Sequence, residues 1–163
     1  MKTLIVLRHA KSEHLHGVSD HERGLNGRGK SDAIRVGEVL AERGLTPGIV
    51  VASSAKRAQS TAKRVVKACG YSGDIVTAEN LYEAYIDDIL EVVRSIPEQH
   101  GIALIVGHNP GFGRFTEILG GRIDSFPTSC WAHLAIDVEY WGEITQAAPA
   151  RLEELWYPKL EQP

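Results

Sequence analysis

Apolar runs alternate with amphipathic stretches along this chain. The first run, Leu4-Ile5-Val6-Leu7 after Thr3, is four consecutive apolar side chains, the pattern of a strand covered on both faces. A polar, Gly-containing stretch over residues 8–27 follows as a loop. The spacing of Ala33, Val36, Gly37 and Leu40 predicts a helix from Gly29 to Arg43, with Gly44 as its stop. Thr46-Pro47-Gly48 then turns the chain into a second strand, Ile49-Val50-Val51-Ala52. Ser53 and Ser54 are candidate N-caps for a helix reaching Cys69, with Ala58, Ala62, Val65 and Cys69 on its buried stripe.

The second half repeats the alternation. Ile75-Val76-Thr77 is a third strand, and Asp87 or Asp88 caps a short helix carrying Ile89, Val92, Val93 and Ile96, ended by Pro97. The fourth strand, Ala103-Leu104-Ile105-Val106, is as apolar as the first. Asn109 as N-cap and Pro110 at the first helical position open a helix to Leu119. Trp131 to Val138 and Leu152 to Trp156 complete the set as two strands, the last at a sheet edge. This order predicts an α/β fold: a three-layer sandwich with a mainly parallel central sheet and helices on both faces. With no internal repeat, low-complexity segment or long linker, a single domain is expected over 1–163.

Charge changes the picture more than composition does. The net charge of −3 conceals thirteen Lys/Arg against six Asp/Glu in residues 1–67, and five against fifteen in residues 68–163. A basic half within an acidic protein points to an anion held locally, not to a nucleic-acid partner. Arg35, Arg43, Lys63 and Lys67 read as solvated helix faces. The opening apolar run is too short for a signal peptide or a membrane span, so a cytoplasmic protein with no membrane partner is expected. Cys69 and Cys130 stand without metal-type spacing and read as free thiols.

The candidate chemistry sits where strands end. Arg8-His9 follows the first strand, Arg57 lies in the first turn after the second, and His108 follows the fourth. Ligands of parallel sheets bind outside the carboxyl ends of the strands, so these groups converge if the strands are neighbours. Two guanidinium groups and two imidazoles repel one another unless an anion lies between them, and a phosphoryl group is the simplest occupant. A competing reading gathers His14, His16 and His21 with Asp20 into a metal cluster of a hydrolase. A third makes the pocket a non-catalytic phosphate-binding module.

Three segments carry a family resemblance. Arg8-His9-Ala10 resembles the Arg-His-Gly signature of the histidine phosphatase superfamily, the phosphoglycerate mutase-like family. The run from Ser53 to Ala62 resembles its Ser-Pro-Ala-x-Arg-Ala-x-x-Thr-Ala segment, and Val106-Gly107-His108-Asn109-Pro110-Gly111 its second-histidine motif. The Arg-His-Ala-Lys-Ser opening and the Glu22-Arg23-Gly24-Leu25-Asn26-Gly27-Arg28-Gly29 segment resemble the SixA branch, the phosphohistidine phosphatases. Gly24 and Ser54 replace prolines of the pattern, and Leu15 stands where the sugar-phosphate enzymes carry a phosphate-contacting Asn.

The resemblance implies a metal-independent phosphatase, with no cofactor, acting through a covalent phosphohistidine on His9. Arg8, Arg57 and His108 would hold the phosphoryl oxygens, and Glu83 would be the candidate general acid. The substrate it implies is protein phosphohistidine, with a small phosphate ester as the alternative. Short connections leave little material for a lid, which suits a side chain presented by another protein. Lys11 and the loop 12–26 are expected at the pocket rim. The expected assembly is a monomer.

Overall fold

A computed structural model describes residues 1–158; residues 159–163 of the expected domain lie outside the described residues. Among the described residues, one sheet of six strands runs in the order β3-β2-β4-β1-β5-β6. The strands are β1 (Lys2–Arg8), β2 (Ile49–Ser53), β3 (Ile75–Ala78), β4 (Ile102–Gly107), β5 (Trp131–Ile136) and β6 (Ala150–Trp156). The first four are parallel, while β5 and β6 pair antiparallel beside β1. In register, Arg8 lies opposite Gly107 and Ala52 opposite Val106, so β1, β4 and β2 end at the same level.

Among the described residues, four α-helices cover the sheet: α1 (Gly27–Glu42), α2 (Lys56–Cys69), α3 (Ile86–Arg94) and α4 (Gly111–Gly120). Side chains alternate across a strand, so β1 feeds two cores. Ile5 and Leu7 join Ala33, Val36 and Leu40 of α1 and Ala58, Ala62 and Val65 of α2. Leu4 and Val6 join Ile89 and Val93 of α3 and Phe112 and Phe115 of α4. This is the expected three-layer α/β sandwich, and Leu4–Leu7 are all fully buried. Cys69 and Cys130 are buried free thiols. Among the described residues, no helix is long and apolar enough to cross a membrane.

The helix starts depart from expectation. Asn26 is the N-cap of α1, its side chain accepting from Gly29 N at 2.8 Å, so the helix opens two residues early. Ala55, not Ser53 or Ser54, is the N-cap of α2, because both hydroxyls face histidines. In α3 the N-cap is Tyr85, and Asp88 supplies the reciprocal half of a capping box by accepting from Tyr85 N at 2.8 Å. Pro110, joined to Asn109 by a cis peptide, is the N-cap of α4, and the Asn109 side chain accepts from Gly113 N at 3.1 Å.

The loop after β1 is held tightly. Asn26 N donates to the Lys11 carbonyl at 3.0 Å, and Glu13 N to the Gly24 carbonyl at 3.0 Å. Gly29 is required here, since a Cβ at that position would overlap the Lys11 carbonyl. The start of α1 thus presses directly on the residues that follow His9.

Candidate active site

His9 leaves the end of β1 with 6% of its surface exposed. Its Nδ1 lies 2.7 Å from the Ala10 carbonyl, which can only accept, so Nδ1 carries the proton and Nε2 the lone pair. Arg57 Nε donates toward that Nε2 at 3.4 Å. Arg57 is buried because the first turn of α2 starts beside the strand end and directs the side chain inward. His108 follows β4, also buried, with its ring centroid 5.1 Å from that of His9. Arg8 donates through Nη1 to the Phe126 carbonyl at 3.3 Å, while its Nε is buried without a partner among the described residues. The four expected residues Arg8, His9, Arg57 and His108 therefore line one pocket of about 270 Å³, with Asn109 and Arg23 beside them.

Burial chiefly, and then Arg57, Arg8 and Arg23, lower the His9 pKa to about 4. Burial, with His9 and Arg57 next, lowers that of His108 to about 3. Both rings are neutral at physiological pH, so the positive charge of the pocket comes from its arginines. Burial and the Arg57 charge also pull Arg8 down.

Part of the compensating anion is internal. Arg57 donates from Nη1 to the Asp20 carbonyl at 2.7 Å and from Nη2 to the Asp20 carboxylate at 3.1 Å. Arg23 binds the same carboxylate at 3.0 Å, and the Tyr82 hydroxyl donates to it as well. These donors, Tyr82 first, hold the Asp20 carboxyl far below the usual carboxylate range and push Tyr82 up. Arg23 also reaches the Ser12 hydroxyl, which ties the loop 12–26 to the pocket wall.

Sequence reasoning singled out Asp20 only as a metal partner and passed over Arg23, Tyr82, Ser53 and Thr61. The Glu22–Gly29 segment, which contains Arg23, was the available signal. Thr61 bridges two elements: it accepts from Ala10 N at 2.9 Å and donates to the Arg57 carbonyl at 2.7 Å. The loop histidines do not assemble with Asp20. His21 pairs with Ser54 and Glu22, and among the described residues no three His, Cys, Asp or Glu side chains converge on a metal position. Leu15 is exposed, and Lys11 lies at the rim as expected.

Glu83 is not in the pocket with the other four. It adopts a left-handed conformation, φ 54°, and lines an adjoining cleft of about 660 Å³ that shares Arg57 and His108 with the pocket. No hydrogen bond or ion pair links it to His9, Arg57 or His108.

Residues 4–109 match the family model of the histidine phosphatase superfamily (branch 1). The chain belongs to the histidine phosphatase superfamily. An uncharacterized Mycobacterium tuberculosis protein is 28% identical over 155 residues, covering 88% of this chain and 95% of that one. An Agrobacterium tumefaciens structure, provisionally described as the phosphohistidine phosphatase SixA, superposes with a TM-score of 0.82 at 26% identity, over 96% of this chain and 98% of that one. A Nakamurella multipartitia structure with the same provisional description gives 0.83 at 26%, over 97% and 96%. For this histidine phosphatase, the resemblance seen in the sequence motifs extends over nearly the whole chain in structure.

Proposed function

We propose that this histidine phosphatase hydrolyses phosphohistidine on proteins through a covalent intermediate on His9 Nε2. The observation that carries the reading is the His9 tautomer: Nδ1 is committed to the Ala10 carbonyl, so Nε2 offers a lone pair inside a pocket lined with arginines.

In the first step Nε2 attacks phosphorus, forming an N–P bond as the bond to the leaving nitrogen breaks. The electron pair of that bond stays with the leaving imidazole. Arg8, Arg57 and the His108 N–H hold the equatorial oxygens, where charge gathers in the transition state. In the second step water attacks phosphorus, the Nε2–P bond breaks with its electron pair returning to His9, and inorganic phosphate leaves. A protonated phosphohistidine expels a neutral imidazole, so the leaving group makes little demand on a general acid. Glu83 remains the candidate acid for more basic leaving groups, since it faces the cleft into which they would extend. That cleft is much larger than one imidazole and suits a side chain still attached to its protein.

Rapid quench with labelled phosphohistidine protein tests the reading. An acid-labile phosphoryl label on the enzyme is expected, and His9→Ala should abolish it. Faster turnover of sugar phosphates than of phosphohistidine protein would move the assignment to a small-molecule phosphomonoesterase. Tight anion binding with no phosphate release would leave only a binding module.

A further inference from the structure

The two ring nitrogens of His108 have different surroundings. Nε2 lies 2.8 Å from the Ser53 hydroxyl, whereas Nδ1 is buried with no hydrogen-bond partner among the described residues. Ser53, the last residue of β2, is fully buried. Its oxygen also accepts from the Ala55 backbone N–H at 3.2 Å.

A serine hydroxyl has one proton and two lone pairs. If Nε2 carried the imidazole proton, the Ser53 oxygen would accept twice and its own proton would have no acceptor. Nδ1 would then present an unshared lone pair, so two buried groups would be unsatisfied. With the proton on Nδ1, Ser53 donates to Nε2 and only the Nδ1–H lacks a partner. Buried polar groups without partners are costly, so the second arrangement is favoured. His108 lines the pocket with Arg8, His9 and Arg57, where an N–H attracts an anion and a lone pair would repel one.

We propose that Ser53 is a positioning residue whose hydroxyl holds His108 as its Nδ1–H tautomer, making a neutral imidazole a hydrogen-bond donor to a phosphoryl oxygen. The inference rests on the phosphoryl-transfer reading only for the identity of the anion. A neutral donor has an advantage at this position. It adds a hydrogen bond to the oxyanion without placing another full cation 5.1 Å from the His9 ring, where it would draw electron density from Nε2. Burial keeps His108 neutral near physiological pH, so its tautomer decides what it offers the ligand.

Long-range proton–nitrogen NMR on the ¹⁵N-labelled protein tests this without any substrate, with His108→Gln used to assign the ring. The expected wild-type result is a protonated Nδ1 and an unprotonated Nε2, and tungstate should shift the Nδ1–H downfield. Ser53→Ala should redistribute the proton toward Nε2 and lower kcat/KM roughly tenfold, less than the loss from removing an oxyanion donor outright. An Nε2–H tautomer in the wild type overturns the proposal, as does a Ser53→Ala protein that keeps both the Nδ1–H tautomer and the full rate. If the tautomer and the tungstate shift are as expected but phosphohistidine protein is not turned over, the substrate reading fails and this inference stands.

Discussion

At the scale of single residues, the pocket keeps its imidazoles uncharged among fixed cations. Water would give His9 a pKa near 6.5; burial and the arginines bring it to about 4. The sign of the stability effect follows. Above pH 6.5 neither the folded nor the unfolded chain protonates this ring, so it adds no pH dependence. Between 6.5 and about 4 the unfolded chain takes up a proton that the folded one refuses, and stability falls with falling pH. The loss from His9 alone is on the order of 3 kcal/mol. His108, lowered by the same causes, acts in the same direction. Urea unfolding between pH 7 and 4 should show this loss, and His9→Gln should remove a large part of it. In parallel, the His9 ring should stay neutral by NMR well below pH 6; a midpoint near 6.5 would show that the pocket does not exclude charge.

At the scale of elements, the pocket is built by joining strand ends to helix starts. Thr61, fully buried on α2, accepts from Ala10 N and donates to the Arg57 carbonyl, so one side chain sets the distance between the His9 loop and the helix carrying Arg57. Thr61→Val preserves shape but leaves the Ala10 N–H buried and unpaired. Unfolding measurements should show a loss of about 1–3 kcal/mol, and kcat should fall with it because Arg57 loses its register with His9. The same junctions explain what could and could not be read from the chain. Strands β1 and β4 were legible because both of their faces are apolar, a pattern that needs no knowledge of neighbours. The helix starts differ from the predicted caps because Ser53 and Ser54, capping types by local chemistry, give their hydroxyls to distant histidines, while Asn109 lies one residue before the N-cap and still accepts from Gly113 N. Ser53 serves His108, Ser54 serves His21, and the Asn109 amide donates to the Phe126 carbonyl. Local propensity cannot anticipate partners that lie 17 to 55 residues away. The Asp20 network was hidden for the same reason, since Arg57 and Tyr82 reach it from distant elements.

At the scale of the whole molecule, the sheet order is the decisive fact. Strands β2 and β1 flank β4 in parallel, so Arg57, His108 and the Arg8-His9 pair leave the sheet on one side and at one level. The cation-rich first half of the chain supplies Arg8, Arg23 and Arg57 there, which gives its excess of positive charge a local use. One carboxylate, Asp20, serves both Arg57 and Arg23, and the buried Arg8 Nε has no acceptor among the described residues. A tetrahedral oxyanion would supply acceptors to all of them and should therefore stabilise the fold as well as occupy the site. A ligand present at a hundred times its dissociation constant adds about 2.7 kcal/mol to the folded state. For a chain of 163 residues this corresponds to a rise in Tm of roughly 5–10 °C. Tungstate should produce that rise in the wild type and little in Arg57→Ala, and added sodium chloride should reduce the effect only modestly because the charges are buried. An equal rise in both proteins would place the anion elsewhere and separate the basic half of the chain from the pocket. A rise that vanishes at moderate salt would instead describe a loose surface association, which the buried positions of Arg57 and His108 do not accommodate.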